Sequence, residues 1–260
     1  MENSLSPASI TNNLKTRLVG QRVTYYPTLT STMDVARQEA QQRAAEGTVV
    51  ITGEQTAGKG RIKRPWLSPK GNLALSIILY PNVAHLPSLI MLASLALVHS
   101  IETVTGLKSQ VKWPNDVLVN GRKVCGILIE SQVRGNTVDY AIIGIGVNVN
   151  LKTADFPEIS PTATSLSDEL GREIPLLDII QQVLVEIERL YLALLAGESI
   201  YEEWRNSLAT LGKEIQVVSG ETVYTGIAES VAKDGSLLLR HRDGSLTKIV
   251  AGDATLRDDK

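Results

Sequence analysis

Apolar and polar positions along the chain fall into segments of two different periods. A helical pattern runs over residues 31–46 and stops at Gly47. Its opening, Ser31-Thr32-Met33-Asp34, sets a hydroxyl before an acid and predicts a capping box. Residues 48–53 and 72–80 are short apolar runs that predict buried strands. Residues 86–104 predict a core helix, started at Pro87 and closed by Gly106. The clearest local signal is Asn120-Gly121, which joins β-rich runs at 111–119 and 122–131 and predicts a hairpin. Across a two-residue turn, Lys123 faces Leu118 and Gly126 faces Asn115, which brings Lys123 close to Asp116. Residues 137–151 read as a third long strand, with Asn148 and Asn150 on one face and Val147 and Val149 on the other. Amphipathic helices follow at 175–195 and 199–208.

From Lys213 the texture changes. β runs at 215–218, 223–228, 236–239 and 246–250 alternate with Gly220, Asp234-Gly235 and Asp243-Gly244. They predict a small antiparallel barrel of about 45 residues, a size that leans on a larger neighbour. Residues 1–20 are polar, weakly patterned and too few for a helix-turn-helix domain.

Composition narrows the class. The chain has 260 residues, 43% hydrophobic and 21% charged, as in an ordinary globular protein. The formal net charge of −2 gives no global basic field, which argues against non-specific nucleic-acid binding. Cys125 is the one cysteine, so no internal disulfide forms, and its plainest reading is a small buried hydrophobe. There is no N-terminal apolar signal region, and the longest apolar stretch, 86–98, falls short of the roughly 20 residues of a bilayer span. A cytoplasmic, soluble protein is expected.

The candidate chemistry begins at Gly53-Glu54-Gln55-Thr56-Ala57-Gly58-Lys59-Gly60-Arg61, one residue from a P-loop. Gly60 stands where that motif needs a magnesium-binding hydroxyl, and Pro65 and Pro69 replace the helix that should follow. The segment reads as a mobile glycine loop with four cations, Lys59, Arg61, Lys63 and Arg64, suited to a small anion; a solvated turn is the plain alternative. Lys112-Trp113-Pro114-Asn115-Asp116 sets a cation, an amide and a carboxylate at a strand corner, where Asn115 and Asp116 offer oxygens to magnesium. The alternative is a hairpin with a charged edge. Lys123, beside an apolar run, is placed to stabilise developing negative charge, although a solvent-facing lysine is the commoner case. Ser31 and Thr32 offer donors at a helix start, with capping alone the plainer reading. His85, His99 and His241 are scattered without metal-ligand spacing.

Taken in order, S-T-M-D at 31–34, G-E-Q-T-A-G-K-G-R at 53–61 with Trp66, K-W-P-N-D at 112–116, R-K-V-C-G-I-L-I-E at 122–130, G-I-G-V-N-V-N at 144–150 and G-D-A-T-L-R at 252–257 resemble the biotin–protein ligases. The resemblance implies an α+β fold: a central mixed sheet with helices packed on one side, as in class II synthetases and lipoate ligases, then an SH3-like barrel. It divides the chain into a 1–24 extension, a 25–210 catalytic domain and a 211–260 C-terminal domain. It implies two steps: biotin and ATP with Mg2+ give biotinyl-5′-AMP, and the acyl group passes to a lysine of apo biotin carboxyl carrier protein of acetyl-CoA carboxylase. By resemblance, Ser31 and Thr32 hold the ureido ring, and Gln55, Gly58, Lys59 and Arg61 form the loop over biotin and adenylate. Trp66 walls the pocket. Lys123 contacts the carboxylate and α-phosphate beside the close-approach Gly126. Lys112, Asn115 and Asp116, with Asn148 nearby, surround the phosphates and metal, and Arg257 reaches the nucleotide. Lys59, Ile62, Lys63, Thr30 and Met33 depart from the common pattern. A lipoate-type ligase, a DNA-binding repressor and a P-loop-like NTPase stay open as alternatives, as does a homodimer pairing through an edge strand at 137–151. No DNA or membrane partner is expected.

Overall fold

The computed structural model describes residues 5–256, so Arg257 lies outside the described residues. A short helix α1 (Pro7–Thr11) precedes strand β1 (Val23–Tyr26), helix α2 (Thr32–Gln41) and strands β2 (Val49–Thr52) and β3 (Leu73–Leu79). Helix α3 (Ser88–Thr105) leads into β4 (Ser109–Lys112), β5 (Asp116–Val119), β6 (Arg122–Arg134) and β7 (Thr137–Val147). Helices α4 (Leu166–Leu170), α5 (Leu176–Leu195) and α6 (Tyr201–Asn206) close this part. The remainder is β8 (Glu214–Ser219), β9 (Thr222–Val231), β10 (Leu237–Arg240), β11 (Leu246–Ile249) and β12 (Asp253–Leu256).

β1 to β7 form one mixed sheet in the order β1-β2-β3-β7-β6-β5-β4, with β1 and β2 parallel. Strand alternation gives this sheet two apolar faces. Ile51, Ile77, Leu79, Ile143 and Ile145 join the large core beneath α3 and α5. Val50, Ile78 and Ile142 face the other way, onto Met33, Ala36 and Ala40 of α2. Most helices therefore lie on one side, and α2 alone covers part of the other. α3 is long and apolar enough to cross a membrane, but ten of its 18 residues are buried in this core.

Several expectations need correction. α2 ends at Gln41 rather than 46, and Arg43 then takes a left-handed conformation. The run 111–119 is two strands, because Pro114, which has no N–H for a ladder, sits in a turn that folds β5 back on β4. β7 lies between β3 and β6 over residues 141–147 and is no edge strand there, so of the run expected to pair through an edge only its start, 137–140, lacks a β3 partner. Asn148 and Asn150 lie beyond its end and stitch loops: Asn148 Nδ2 donates to Thr164 O at 3.0 Å, and Asn150 exchanges bonds with Ile174. The Asn120-Gly121 hairpin forms, with Lys123 opposite Leu118, but the register then slips by one, so Gly126 faces Asp116 and not Asn115.

The N-terminal segment is packed rather than loose. Ile10 and Val19 are fully buried. The Glu188 carboxylate of α5, 6% exposed, accepts backbone N–H bonds from Arg17, Leu18 and Val19 at 2.6–3.0 Å. The sequence shows only scattered leucines there, because a carboxylate 170 residues away supplies the anchor.

β8 to β12 form the SH3-like C-terminal sheet, ordered β11-β10-β9-β8-β12. It is pinned to the main domain by Trp113 Nε1 donating to Gly235 O at 2.9 Å and Tyr201 Oη donating to Val231 O at 2.5 Å. Its strand β12 falls outside the expected β runs.

Replacing Glu188 with alanine leaves three backbone donors without their carboxylate, the Val19 N–H among them buried. We expect a loss of about 3 kcal/mol, since a hydrogen bond to a charged group contributes about 1.5–3 kcal/mol. Urea unfolding of Glu188→Ala checks this; a midpoint equal to the parent's contradicts it.

Candidate active site

The α2-facing side of the sheet is only half covered, and the site lies in the uncovered half. Two cross-strand rows make its floor. One runs Thr52, Ala74, Gly146, Gly126, Asp116 and Lys112 across β2, β3, β7, β6, β5 and β4. The next runs Val50, Ser76, Gly144 and Leu128. Glycines at the centre leave a trench where side chains would otherwise stand.

The trench is filled from above by Trp66. A Cβ at Gly146 would lie 2.3 Å from Trp66 Nε1, and one at Gly126 would lie 2.9 Å from Trp66 Cζ3. The indole is delivered by a short hairpin of the glycine loop: Trp66 N–H donates to Gly58 O and Gly60 N–H to Arg64 O, both at 2.8 Å. Gly58 forms the base of this hairpin rather than lining the cavity. Ile62 at its tip takes φ 53°, an uncommon conformation for a β-branched residue, with its side chain 62% exposed. Gly60 is extended, and no P-loop helix follows it.

The slip in β6 decides where Lys123 points. By plain alternation Lys123 and Gly126 would occupy opposite faces. The bulge before Cys125 adds one residue and switches the parity, the usual way a bulge re-aims a side chain. Lys123 Nζ then lies 2.6 Å from Asp116 Oδ1 and 5.3 Å from the centroid of the Trp66 ring. Lys112 Nζ approaches the other oxygen of Asp116 at 3.8 Å.

A cavity of about 250 Å³ lies between floor and loop. One end is polar and neutral. Ser31, although at the helix start, makes no capping bond; its Oγ is buried without a partner. Thr32 N–H donates to Gln55 Oε1 at 2.9 Å, and Ser76 Oγ donates to Thr32 Oγ1 at 2.8 Å. The predicted cap is thus a donor–acceptor set facing the cavity, closed on its apolar side by Met33 and Leu128. The other end is cationic, with Lys59, Arg61, Lys112 and Lys123 on its wall beside Asn115 and Asp116.

Two acids brace the loop. Asp34 on α2 accepts from Lys59 Nζ at 2.5 Å and from Arg37 Nη1 at 2.9 Å, and Arg37 continues to Glu130 on β6. Burial opposes ionisation of Asp34, but the bonds from Lys59 and Arg37 outweigh it and hold the carboxyl below its ordinary range. On the far side, Arg61 Nη1 donates to Asn115 Oδ1 at 2.9 Å and to Gly252 O at 3.2 Å, and lies 3.6 Å from Asp253 Oδ1. Burial lowers the Arg61 pKa, and the Asp253 and Asp116 carboxylates oppose that shift. Asp253, Ala254 and Thr255 place β12 in the cavity wall.

Of the residues singled out from the sequence, Ser31, Thr32, Gln55, Lys59, Arg61, Trp66, Lys112, Asn115, Asp116, Lys123 and Gly126 line one cavity. Asn148 does not; it is buried beneath, on Thr164. As a metal ligand Asp116 fits poorly, since Lys123 and Lys112 already flank its carboxylate and Arg61 takes the Asn115 oxygen. Among the described residues no three His, Cys, Asp or Glu side chains cluster to hold a metal. Gly144, Gly146, Asp34 and Asp253 were missed. The G-x-G spacing at 144–146, which puts two glycines on one strand face, was the available signal for the floor.

A mixed sheet with a half-open glycine floor, a cationic loop above it and an SH3-like sheet at its mouth defines a protein that binds an elongated ligand, polar at one end and anionic at the other. Residues 25–148 match the biotin/lipoate A/B protein ligase family, and residues 210–257 match the biotin protein ligase C terminal domain. The chain is 37% identical over 258 residues to the bifunctional ligase/repressor BirA of Bacillus subtilis, covering 97% of this chain and 79% of that protein. It is 31% identical to the biotin–[acetyl-CoA-carboxylase] ligase of Mycobacterium tuberculosis, over 85% of this chain and 83% of that one. The biotin protein ligase of Aquifex aeolicus, solved in complex with biotin and ATP, superposes with a TM-score of 0.76 at 27% identity, over 91% of this chain and 99% of that one. The chain belongs to the biotin protein ligase family.

The Asp34 brace carries a pH signature. A carboxyl held below its unfolded pKa of about 3.9 stabilises fully above that value, and the gain is lost as pH falls through the lower folded pKa. The difference in melting temperature between the parent and Asp34→Asn should hold at neutral pH and vanish in acid below that range. A difference that does not change with pH contradicts the brace.

Proposed function

We infer that this protein activates biotin with MgATP to biotinyl-5′-AMP and passes the biotinyl group to a carrier-protein lysine. One observation carries the reading: a single cavity joins an unpartnered buried hydroxyl and an amide acceptor, fit for a ureido ring, to a cationic end fit for a carboxylate and a phosphate. Ser31, Thr32 and Gln55 recognise the ring. The apolar middle, walled by Trp66, Met33 and Leu128, takes the thiophane and valeryl carbons.

In the first step a biotin carboxylate oxygen bonds to the α-phosphorus of ATP, and the bond to the bridging oxygen breaks with loss of pyrophosphate. Two anions must meet, and charge builds on the phosphorus oxygens. Lys123 and Arg61 meet that charge as preorganised donors in a cavity from which the loop excludes water. Asp116 steadies Lys123, and Asn115 steadies Arg61. Magnesium enters with ATP as part of the substrate. In the second step the acceptor lysine's amine bonds to the acyl carbon, AMP leaves, and the amine gives up a proton. The carrier protein of acetyl-CoA carboxylase is the proposed acceptor. Repressor activity is in the name of the Bacillus relative and is said of that protein alone.

The test is biotin-dependent exchange of pyrophosphate into ATP, with lipoate as control. Exchange with biotin and none with lipoate supports the reading; lipoate-driven exchange, or steady release of ADP, contradicts it. Lys123→Ala should lower exchange by about 10²-fold or more, the usual effect of removing one charge-stabilising donor; exchange near the parent rate assigns Lys123 wrongly. Arg61→Gly should still form the adenylate but release it into solution, which chromatography of the filtrate detects; full retention contradicts the clamp.

A further inference from the structure

The C-terminal sheet reaches the loop through one residue that the reaction as written does not use. Asp253 begins β12, the strand absent from the expected pattern. Its Oδ1 lies 3.6 Å from Arg61 Nη1, and its Oδ2, buried, meets Arg64 Nη1 at 2.7 Å as an ion pair rather than a directed hydrogen bond. The neighbouring Gly252 carbonyl accepts from the same Arg61 Nη1 at 3.2 Å. Asn115 holds that nitrogen from the main domain.

The grip on Arg61 is lopsided. Every bond it makes among the described residues uses Nη1, and Nε and Nη2 hold no partner. A guanidinium has five N–H groups in a rigid fork, so fixing one nitrogen orients the rest. Arg64 by itself would add little, with its side chain 69% exposed. Arg61, 22% exposed, is the contact that water screens less.

We propose that Asp253 is a positioning residue: it draws Arg61 and Arg64 toward the C-terminal sheet, pins the glycine loop over the cavity, and leaves the free side of the Arg61 fork for the ligand's phosphate. This rests on the ligase reading of the site. It makes the small C-terminal domain part of the loop's closing device.

The experiment has two arms on the full chain. In the first, trypsin acts on the protein without ligand, where Lys59, Arg61 and Lys63 are cleavable loop positions. Asp253→Asn should speed cutting within 59–63 by about ten-fold, the factor expected when a charge-assisted contact is lost, with an unchanged melting temperature and no new cuts elsewhere. Asp253→Glu should restore much of the protection. In the second arm, biotinyl-adenylate formed from biotin and ATP should leave Asp253→Asn faster by a similar factor, with little change in KM for biotin. Loop cutting in both Asp253→Asn and Asp253→Ala at the parent rate overturns the proposal. A parent that forms no adenylate sinks the ligase reading instead, and the ligand-free arm still judges the latch.

Discussion

The trench cut into the central sheet by Gly126, Gly144 and Gly146 is the constraint on which the rest of the site depends. A sheet face of this kind is normally covered by side chains and a helix. Here α2 covers half, and the strands opposite it carry no side chains at the positions where a ligand and Trp66 must lie. Close packing then gives the loop its shape. The indole touches two glycines of the same row, so the loop docks in one place, and the cations it carries are brought to the end of the cavity where Lys123 already stands. A side chain at either glycine would exclude the ring before any question of charge arises.

Charge is organised around that docking. Each cation of the site has an acid or an amide behind it: Lys123 has Asp116, Lys59 has Asp34, and Arg61 has Asn115 and the Gly252–Asp253 pair. These partners limit the mutual repulsion of several cations in a small volume without burying them in a closed ion cage. The exposed members contribute little to stability individually. Their effect is on geometry, which suits a site that must receive anions rather than remain neutralised. The brace also spans the whole molecule, from α2 on one side to the C-terminal sheet on the other, so loop closure and domain placement are coupled.

Much of this was legible in the sequence. The apolar runs at β2, β3 and α3 and the Asn-Gly hairpin follow from patterning alone, and the G-K-G-R loop shows in its residues the cations that Lys59 and Arg61 bring to the cavity wall. What was not legible depended on distant partners or on a single extra residue. The bulge before Cys125 turns Lys123 onto the ligand face, and nothing in R-K-V-C-G shows which residue will be passed over. Ser31 reads as a cap because local chemistry favours one; only the fold shows that its hydroxyl makes no capping bond and stays without a partner at the cavity, beside a Thr32 N–H that donates to Gln55. The split at Trp113-Pro114 was signalled by proline within a strand pattern and outweighed by the apolar run. Glu188 and Asp253 act across long sequence separations, on Leu18 and Arg61 respectively, and pattern reading has no access to such pairs.

The central claim is that a glycine floor with Trp66 seated on it builds the ligand cavity, and Gly146→Ala tests it most directly. The added methyl falls 2.3 Å from the indole nitrogen, so the ring must move while the sheet beneath keeps its ladder. Titration calorimetry with biotin, on a variant shown by circular dichroism to be folded, should show affinity lowered by about ten-fold or more, equivalent to about 1.4 kcal/mol. Biotin affinity equal to the parent's in a folded Gly146→Ala protein would contradict the account.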